Sequence, residues 1–175
     1  PPELNPILRL PSCSMHVSSL FKRVLAVLGL LSAGLLPWAA TAQVSGAAGT
    51  VVTTEQVRAE LMAHAPDGAG PGQTVWVGLQ IRHKPEWHTY WKNSGDSGLP
   101  TQLQWTLPAG VSAGEIQWPL PQKIRIGSLA NYGYEGTVLL PVPLTIGPGF
   151  KPGLLSETLE VKLAASWLVC KTECI

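Results

Sequence analysis

The feature that most restricts the fold of this chain is a period of two in three apolar runs. Valine, leucine, isoleucine or alanine fills every second position of residues 75–81, 138–144 and 159–165. That period places the apolar side chains on one face of a strand. Turn residues separate the runs, such as the Gly and Pro of 108–110 and 147–149, and they favour short connections. The pattern predicts an all-β fold, an immunoglobulin-like antiparallel β-sandwich.

Less regular segments lie between and within these runs. Pro141 and Pro143 interrupt the second run on the face opposite its apolar residues, and each removes one donor from the strand ladder. We therefore expect this strand at a sheet edge or paired on one side only. The 84–100 connection contains several aromatic residues and is expected to be a packed loop. Further short strands are predicted at 57–63, 103–107 and 116–118.

The N-terminal segment has the composition of a secretory signal peptide. Residues 15–42 begin at the first methionine, carry a basic pair, continue as an uncharged apolar run and end at Ala-Thr-Ala, a small-residue cleavage pattern. The apolar run is shorter than the roughly 20 residues that span a bilayer, and an uncleaved anchor helix is the alternative. We interpret residues 1–14 as an upstream leader and 43–54 as a flexible leader. One domain then occupies 55–175, and we expect it to be truncated at its C-terminus.

Charge and composition exclude some classes of function. The formal net charge is +1 and charged residues make up 13% of the chain, so the basic excess of nucleic-acid-binding proteins is missing. A hydrophobic content of 45% excludes disorder through low hydrophobicity. The sequence has no G-x-S-x-G motif, which leaves hydrolytic catalysis poorly supported. Asp96 is a candidate catalytic acid or, more simply, a residue that caps backbone N–H groups of its loop.

The sharpest candidate for chemistry is the pair Cys170 and Cys174, which Lys-Thr-Glu separates. An exported chain meets an oxidising compartment, where such a pair forms a disulfide. Four extended steps span about 13 Å, but the Cα atoms of a disulfide lie about 4.4–6.8 Å apart. The segment must therefore turn, and an i,i+4 helical turn would bring the pair to about 6 Å.

Three interpretations of the cysteine pair stay open on these grounds. Closing so small a ring adds little stability through the unfolded state, and a short bridge at the end of a strand is accessible to thiol–disulfide exchange. A structural bridge is the second interpretation. The third is a metal site that His83 and His88 would complete.

Tryptophan residues suggest a second class of function. Trp87 and Trp91 lie in the long connection, where two aromatic faces would form a stacking platform for a sugar or a peptide. Trp76, Trp105 and Trp118 lie in or beside predicted strands and are interpreted as packing residues. The alternative function is therefore a secreted β-sandwich that binds carbohydrate or peptide and has a structural disulfide.

Three separated motifs resemble those of one protein family. They are 83–100 (HKPEWHTYWKNSGDSGLP), 131–136 (NYGYEG) and 167–174 (WLVCKTEC). Over residues 57–175 the chain resembles the N-terminal periplasmic domain of the DsbD/ScsB family of thiol:disulfide interchange proteins, also called protein-disulfide reductases. The resemblance implies an exported immunoglobulin-like domain at the periplasmic face of the bacterial inner membrane. It also implies a transmembrane electron-conducting region and a C-terminal thioredoxin-like domain in the full-length protein.

The same resemblance implies a reaction and its residues. Cys174 would attack a partner disulfide and Cys170 would resolve the mixed disulfide, with no cofactor and no metal ion. Electrons would pass from a membrane-embedded reductase through this pair to periplasmic thioredoxin-like or disulfide-isomerase proteins, including factors of cytochrome c biogenesis. Burial favours the same order, because Cys170 follows an apolar segment and a buried thiol is less ionised. The spacing of the cysteines is shorter than in the best-known members, which affects the partner surface.

Members of this family cover the disulfide with a loop until a partner arrives. In this chain the candidate cover is the 122–135 connection. Tyr132 and Tyr134 would lie over the sulfurs, and Gly127 and Gly133 would permit hinge motion. The alternative is a plain strand connection with packed tyrosines.

Overall fold

The structure, a computed structural model, describes residues 7–11, 50–151 and 158–175. Within these ranges the chain forms strands, turns and irregular segments but no helix, so the predicted all-β class is confirmed. It follows that the described ranges contain no helix that could cross a membrane. The strands are β1 (Ile7–Pro11), β2 (Val51–Thr53), β3 (Val57–His64), β4 (Thr74–His83), β5 (His88–Gly95), β6 (Gln102–Thr106), β7 (Val111–Ala113), β8 (Gln122–Ile126), β9 (Leu129–Glu135), β10 (Thr137–Ile146) and β11 (Thr158–Ser166).

These strands form three antiparallel sheets. The order is β2-β3-β4-β10-β7 in the largest, β1-β11-β6 in the second and β5-β9-β8 in the third. The first two face each other across an apolar core and are the layers of an immunoglobulin-like β-sandwich, as predicted. The third sheet is joined to the second layer by a β-bridge between His88 of β5 and Cys170, which follows β11.

The period of two accounts for the core between the layers. β4 buries Val77, Leu79 and Ile81, and β11 buries Leu159 and Leu163, each no more than 2% exposed. Burying one such side chain contributes about 1.5–3 kcal/mol, so these positions anchor the sandwich. All three alternating runs are strands, and the weaker strands predicted near β3 and β6 are also confirmed.

β10 accommodates two prolines by turning their nitrogens away from β4. Most of β10 pairs with β4, whereas β7 pairs only with residues 144–146 on the other side. The N and O atoms of one residue point to the same side of an antiparallel strand. The carbonyls of Pro141 and Pro143 accept hydrogen bonds of 2.8 Å from Gln117 and Gly114, so the missing N–H groups lie on that side. The proline segment therefore pairs with a strand on one side only, as predicted, but β10 is not an edge strand.

Two predictions about the connecting segments are wrong. Residues 116–118 form no strand, although Ile116 and Trp118 are half-buried and pack against the core from an irregular segment. The 84–100 connection is not a loop, because it contains β5. That strand buries three consecutive residues, 88–90, so its sequence lacks the period of two on which the prediction relied.

Strands β1 and β2 precede, in the sequence, the predicted domain boundary at residue 55. β2 pairs with β3, so the last part of the predicted flexible leader, 43–54, is a strand. β1 lies within the predicted upstream leader, 1–14, and pairs antiparallel with β11. The predicted signal peptide, 15–42, lies outside the described residues.

Candidate functional site

The disulfide between Cys170 and Cys174 closes a tight turn after β11. The two Cα atoms are 4.1 Å apart. Val169 and Ile175, which flank the pair, exchange main-chain hydrogen bonds of 3.2 and 3.0 Å. Because such an exchange is typical of antiparallel partners, the segment reverses direction as a small hairpin. The turn is confirmed, but the helical form suggested for it is wrong.

The two cysteines differ in exposure. Cys170 is 1% exposed and follows the buried Val169, whereas Cys174 lies at the surface. Thiol–disulfide exchange requires that an attacking thiolate reach a sulfur atom. The hairpin therefore leaves Cys174 accessible from solvent and holds Cys170 behind it.

An ion pair lies on the outer side of the hairpin. The Nζ atom of Lys171 lies 2.5 Å from Oε2 of Glu86, in the connection before β5. Glu86 is mostly exposed, and ion pairs in such positions contribute little to stability. The contact nevertheless directs the ammonium group of Lys171 toward Glu86.

The main chain of β5 holds the buried cysteine in place. The N–H of His88 donates to the carbonyl of Cys170 at 2.9 Å, and the N–H of Cys170 donates to the carbonyl of His88 at 3.0 Å. This pair of bonds aligns the first residue of β5 with the disulfide. The residues that follow His88 are therefore carried toward the sulfur atoms.

Tyr90 is the aromatic residue whose hydroxyl lies at the disulfide. Its Oη atom is 4.0 Å from Sγ of Cys174 and 3.3 Å from Nε2 of His88. The rings of His88 and Tyr90 meet edge to face, with centroids 5.2 Å apart. Tyr90 is 1% exposed, and burial raises the pKa of its hydroxyl, while a hydrogen bond with Ser97 opposes that rise. Burial also lowers the pKa of His88, against an opposing effect of Glu135.

Two glycines allow the backbone to approach this site closely. Gly98 has a φ of +95°, and a Cβ atom there would lie 2.3 Å from the ring of Tyr90. A Cβ atom at Gly133 of β9 would lie 2.1 Å from the carbonyl oxygen of Thr89. Since no side chain fits at either position, the glycines let neighbouring segments pack directly on 89–90 and fix the phenol ring.

The predicted cover, 122–135, is the hairpin of β8 and β9. Tyr134 is buried, its hydroxyl donates to the carbonyl of Pro119 at 2.8 Å, and burial raises its pKa to about 12. Tyr132 is 37% exposed. Gly127 lies in the turn with open space around it, whereas Gly133 is tightly packed in β9. A covering role for the hairpin stays a prediction.

The other candidates from the 84–100 segment have packing or capping roles. Asp96 accepts a hydrogen bond of 2.8 Å from the N–H of Ala130 in β9, so it caps a backbone N–H group, but one of a neighbouring strand and not of its own loop as predicted. Trp87 and Trp91 are half-buried and pack against the core. They do not form the exposed pair of faces that a sugar platform would need.

His83 is occupied by hydrogen bonds on both sides of its ring. Nδ1 lies 2.8 Å from the carbonyl of Gly136, and Nε2 lies 3.0 Å from Oγ1 of Thr89. Burial lowers the pKa of His83. In the described parts of the chain, no group of three or more His, Cys, Asp or Glu residues is placed to hold a metal ion.

Sequence reasoning identified the sulfur pair but not the two side chains beside it. The sequence predicts a metal-ligand role for His88 and packing for the aromatic residues of 84–100, which include Tyr90. The spacing of His88 and Tyr90 could have identified them as neighbours, because residues i and i+2 share one face of a strand. The spacing does not produce an alternating pattern of apolar and polar residues, because Thr89, between them, is buried as well.

A β-sandwich with a disulfide at its surface is suited to thiol–disulfide exchange, and comparison with known families supports that class. The model of the family described as "Thiol:disulfide interchange protein DsbD, N-terminal" matches residues 55–175. Since the match spans more than half of the chain, this chain belongs to that family.

A solved structure has a similar fold. It is the N-terminal periplasmic domain of ScsB from Proteus mirabilis, with 22% sequence identity and a TM-score of 0.50. The similarity covers 71% of this chain and 46% of that one, so this chain corresponds to less than half of the ScsB domain. A comparison with curated proteins gives no match.

Proposed function

We propose that this domain is the periplasmic exchange module of a protein-disulfide reductase and acts through Cys170 and Cys174. The observation that carries the proposal is the asymmetry of the pair: Cys174 is at the surface and Cys170 is buried behind it. An exposed attacking sulfur with a protected resolving sulfur is what sequential exchange requires. Family membership supports the same reaction.

The reaction proceeds in two exchange steps. In the dithiol form, the thiolate of Cys174 attacks a partner disulfide, forms a mixed disulfide and releases one partner thiolate. The thiolate of Cys170 then attacks Cys174, which closes the intramolecular disulfide and releases the second partner thiolate. Two electrons leave the domain, and the partner takes up two protons to become a dithiol.

For the source and the acceptors of the electrons, the proposal relies on the resemblance to the family. A membrane-embedded reductase and a C-terminal thioredoxin-like domain of the full-length protein would return two electrons to the pair. The acceptors would be periplasmic thioredoxin-like or disulfide-isomerase proteins, including factors of cytochrome c biogenesis. Export by the predicted signal peptide, 15–42, would place the domain at the periplasmic face of the inner membrane.

Single-cysteine variants test the order of attack. In a Cys13→Ser background, we expect the Cys170→Ser chain to trap a thioredoxin-like protein as a mixed disulfide, because the attacking Cys174 remains and the resolving thiol is gone. The Cys174→Ser chain is the matched control and should trap little. Non-reducing electrophoresis measures the trapped fraction. Equal or greater trapping by Cys174→Ser would overturn the assignment.

A further inference from the structure

The side chains around Cys174 form a continuous polar path into the domain. From Sγ of Cys174 the path runs to Oη of Tyr90 at 4.0 Å and on to Nε2 of His88 at 3.3 Å. Both His88 and Tyr90 are no more than 2% exposed. Buried polar groups so arranged exchange hydrogen bonds with one another rather than with water.

The backbone keeps this path in register. His88 is bonded through two main-chain hydrogen bonds to Cys170, the other half of the disulfide. Gly98 packs so closely on the ring of Tyr90 that a Cβ atom would overlap it. The phenol oxygen is therefore held between the imidazole and the sulfur.

We propose that Tyr90 and His88 form a proton relay for Cys174, in which Tyr90 contacts the sulfur and His88 acts through Tyr90 as a positioning residue. This inference rests on the proposed exchange function, because the relay has a task only when Cys174 becomes a thiol. A free thiol at this position has to lose its proton before it can attack a disulfide.

The proton balance of the relay is simple. In the dithiol form, the thiol of Cys174 donates to Oη of Tyr90, and the hydroxyl of Tyr90 donates to Nε2 of neutral His88. When each proton moves one step, Cys174 becomes a thiolate, Tyr90 is again a neutral phenol and His88 is an imidazolium ion. The phenol then donates to the thiolate and Nε2–H donates to the phenol oxygen. No electron and no further reactant is involved.

The charges around the imidazole suit a transient proton acceptor. Burial lowers the pKa of His88, so the ring is neutral and able to accept a proton at neutral pH. Glu135 lies opposite His88 in β9 and favours the protonated ring, as does a main-chain hydrogen bond with Glu86. His83 is a further titratable side chain that interacts electrostatically with His88. Ser97 is a further hydrogen-bond partner of Tyr90.

The pH dependence of alkylation at Cys174 tests the relay. In the full chain with Cys13→Ser and Cys170→Ser, Cys174 is the single thiol, and iodoacetamide reports its thiolate fraction. We expect Tyr90→Phe, which keeps the ring, to raise the midpoint by about one pH unit, so that alkylation at pH 7 becomes about tenfold slower. We expect the parent profile to contain a second, lower inflection from His88, which His88→Gln removes.

Two matched variants control for general effects of substitution. Tyr134→Phe removes a buried hydroxyl that bonds to Pro119, and His64→Gln removes an exposed imidazole of β3. Both should keep the parent profile. Parent-like profiles in Tyr90→Phe and His88→Gln would overturn the relay. A change in Tyr90→Phe alone would also overturn it, because the phenol would then act without His88.

A second measurement avoids the Cys170 substitution. Absorbance near 240 nm follows thiolate formation in the dithiol form of the Cys13→Ser chain, and Tyr90→Phe should raise its first midpoint by about one unit as well. Neither measurement uses a partner protein. Failure of the relay would leave mixed-disulfide trapping intact, whereas failure of the proposed exchange function would appear as lost trapping with an unchanged alkylation profile.

Discussion

The sandwich core and the sheet beside the disulfide bury their residues in different ways. In β4 and β11, aliphatic residues alternate with outward-facing ones, and the buried side chains of these two strands belong to the shared apolar core. In β5, three consecutive residues are buried, two of them, His88 and Thr89, are polar, and each has a specific partner. The first arrangement stabilises the fold. The second fixes particular atoms near Cys174.

This comparison separates positions that stability depends on from positions that exchange depends on. A core residue is replaceable by another of similar volume at modest cost. Tyr90 is not replaceable in this way, because its hydroxyl lies between the imidazole of His88 and the sulfur atom of Cys174. Changes in the two regions should therefore affect different measurements.

The largest effect on stability is expected at Leu140, on the buried face of β10. Leu140→Ala should lower the free energy of unfolding by about 2–5 kcal/mol, since it leaves a cavity in the core. Its neighbour Leu139 is 41% exposed while Leu140 is 1% exposed, so Leu139→Ala is the matched control and should change stability by less than about 1 kcal/mol. Urea denaturation measures both. Similar losses in the two variants would show that β10 does not have one buried face.

A smaller effect is expected at Gly98, where the backbone contacts Tyr90. Gly98→Ala introduces a Cβ atom 2.3 Å from the ring, whereas Gly72→Ala also has a positive φ but meets nothing within 4 Å. Overpacking costs about 1–3 kcal/mol, so Gly98→Ala should be less stable than Gly72→Ala by about that amount. Only Gly98→Ala should also change the alkylation profile of Cys174. Equal stability of the two variants would contradict the close packing described for Tyr90.

The sequence predicted the two regions to different extents. The alternation at 75–81 and 159–165 identified the sandwich and its core, because one-sided burial determines which side chains alternate. The spacing of Cys170 and Cys174 showed that the segment must turn. The positions of Tyr90 and His88 beside Cys174 could not be predicted from such patterns. Their strand, β5, pairs with residues distant in sequence and is buried without a period of two.

Reduction of the disulfide should lower the free energy of unfolding by less than the largest losses expected for Leu140→Ala and Gly98→Ala. A ring closed over four sequence steps restricts the unfolded chain by no more than about 2 kcal/mol. In the Cys13→Ser chain, the free energy of unfolding should fall by at most that amount on reduction, as measured by urea denaturation with and without dithiothreitol. Unfolding on reduction would show that the bridge belongs to the structural region instead.

The smallest effect is a pH dependence of stability from His83. Its pKa is lowered by burial from 6.5 in the folded chain, so the unfolded chain binds the proton first as the pH falls. Stability is therefore fully present above about pH 6.5 and declines below it, by less than about 1.4 kcal/mol per pH unit. His83→Gln should make this decline shallower and leave the part that comes from His88, whose pKa burial also lowers, whereas substitution of the exposed His64 should not change it. Denaturation midpoints measured at a series of pH values test this prediction. A decline in His83→Gln equal to that of the parent would contradict the contribution of His83.

The central claim is that the Cys170–Cys174 disulfide exchanges electrons with other proteins while the domain stays folded. Native thiol titration of the oxidised Cys13→Ser chain, after incubation with a reduced thioredoxin-like protein, tests it most directly. We predict that two thiols become reactive per chain and that circular dichroism does not change. A disulfide that stays closed until denaturant is added would contradict the claim.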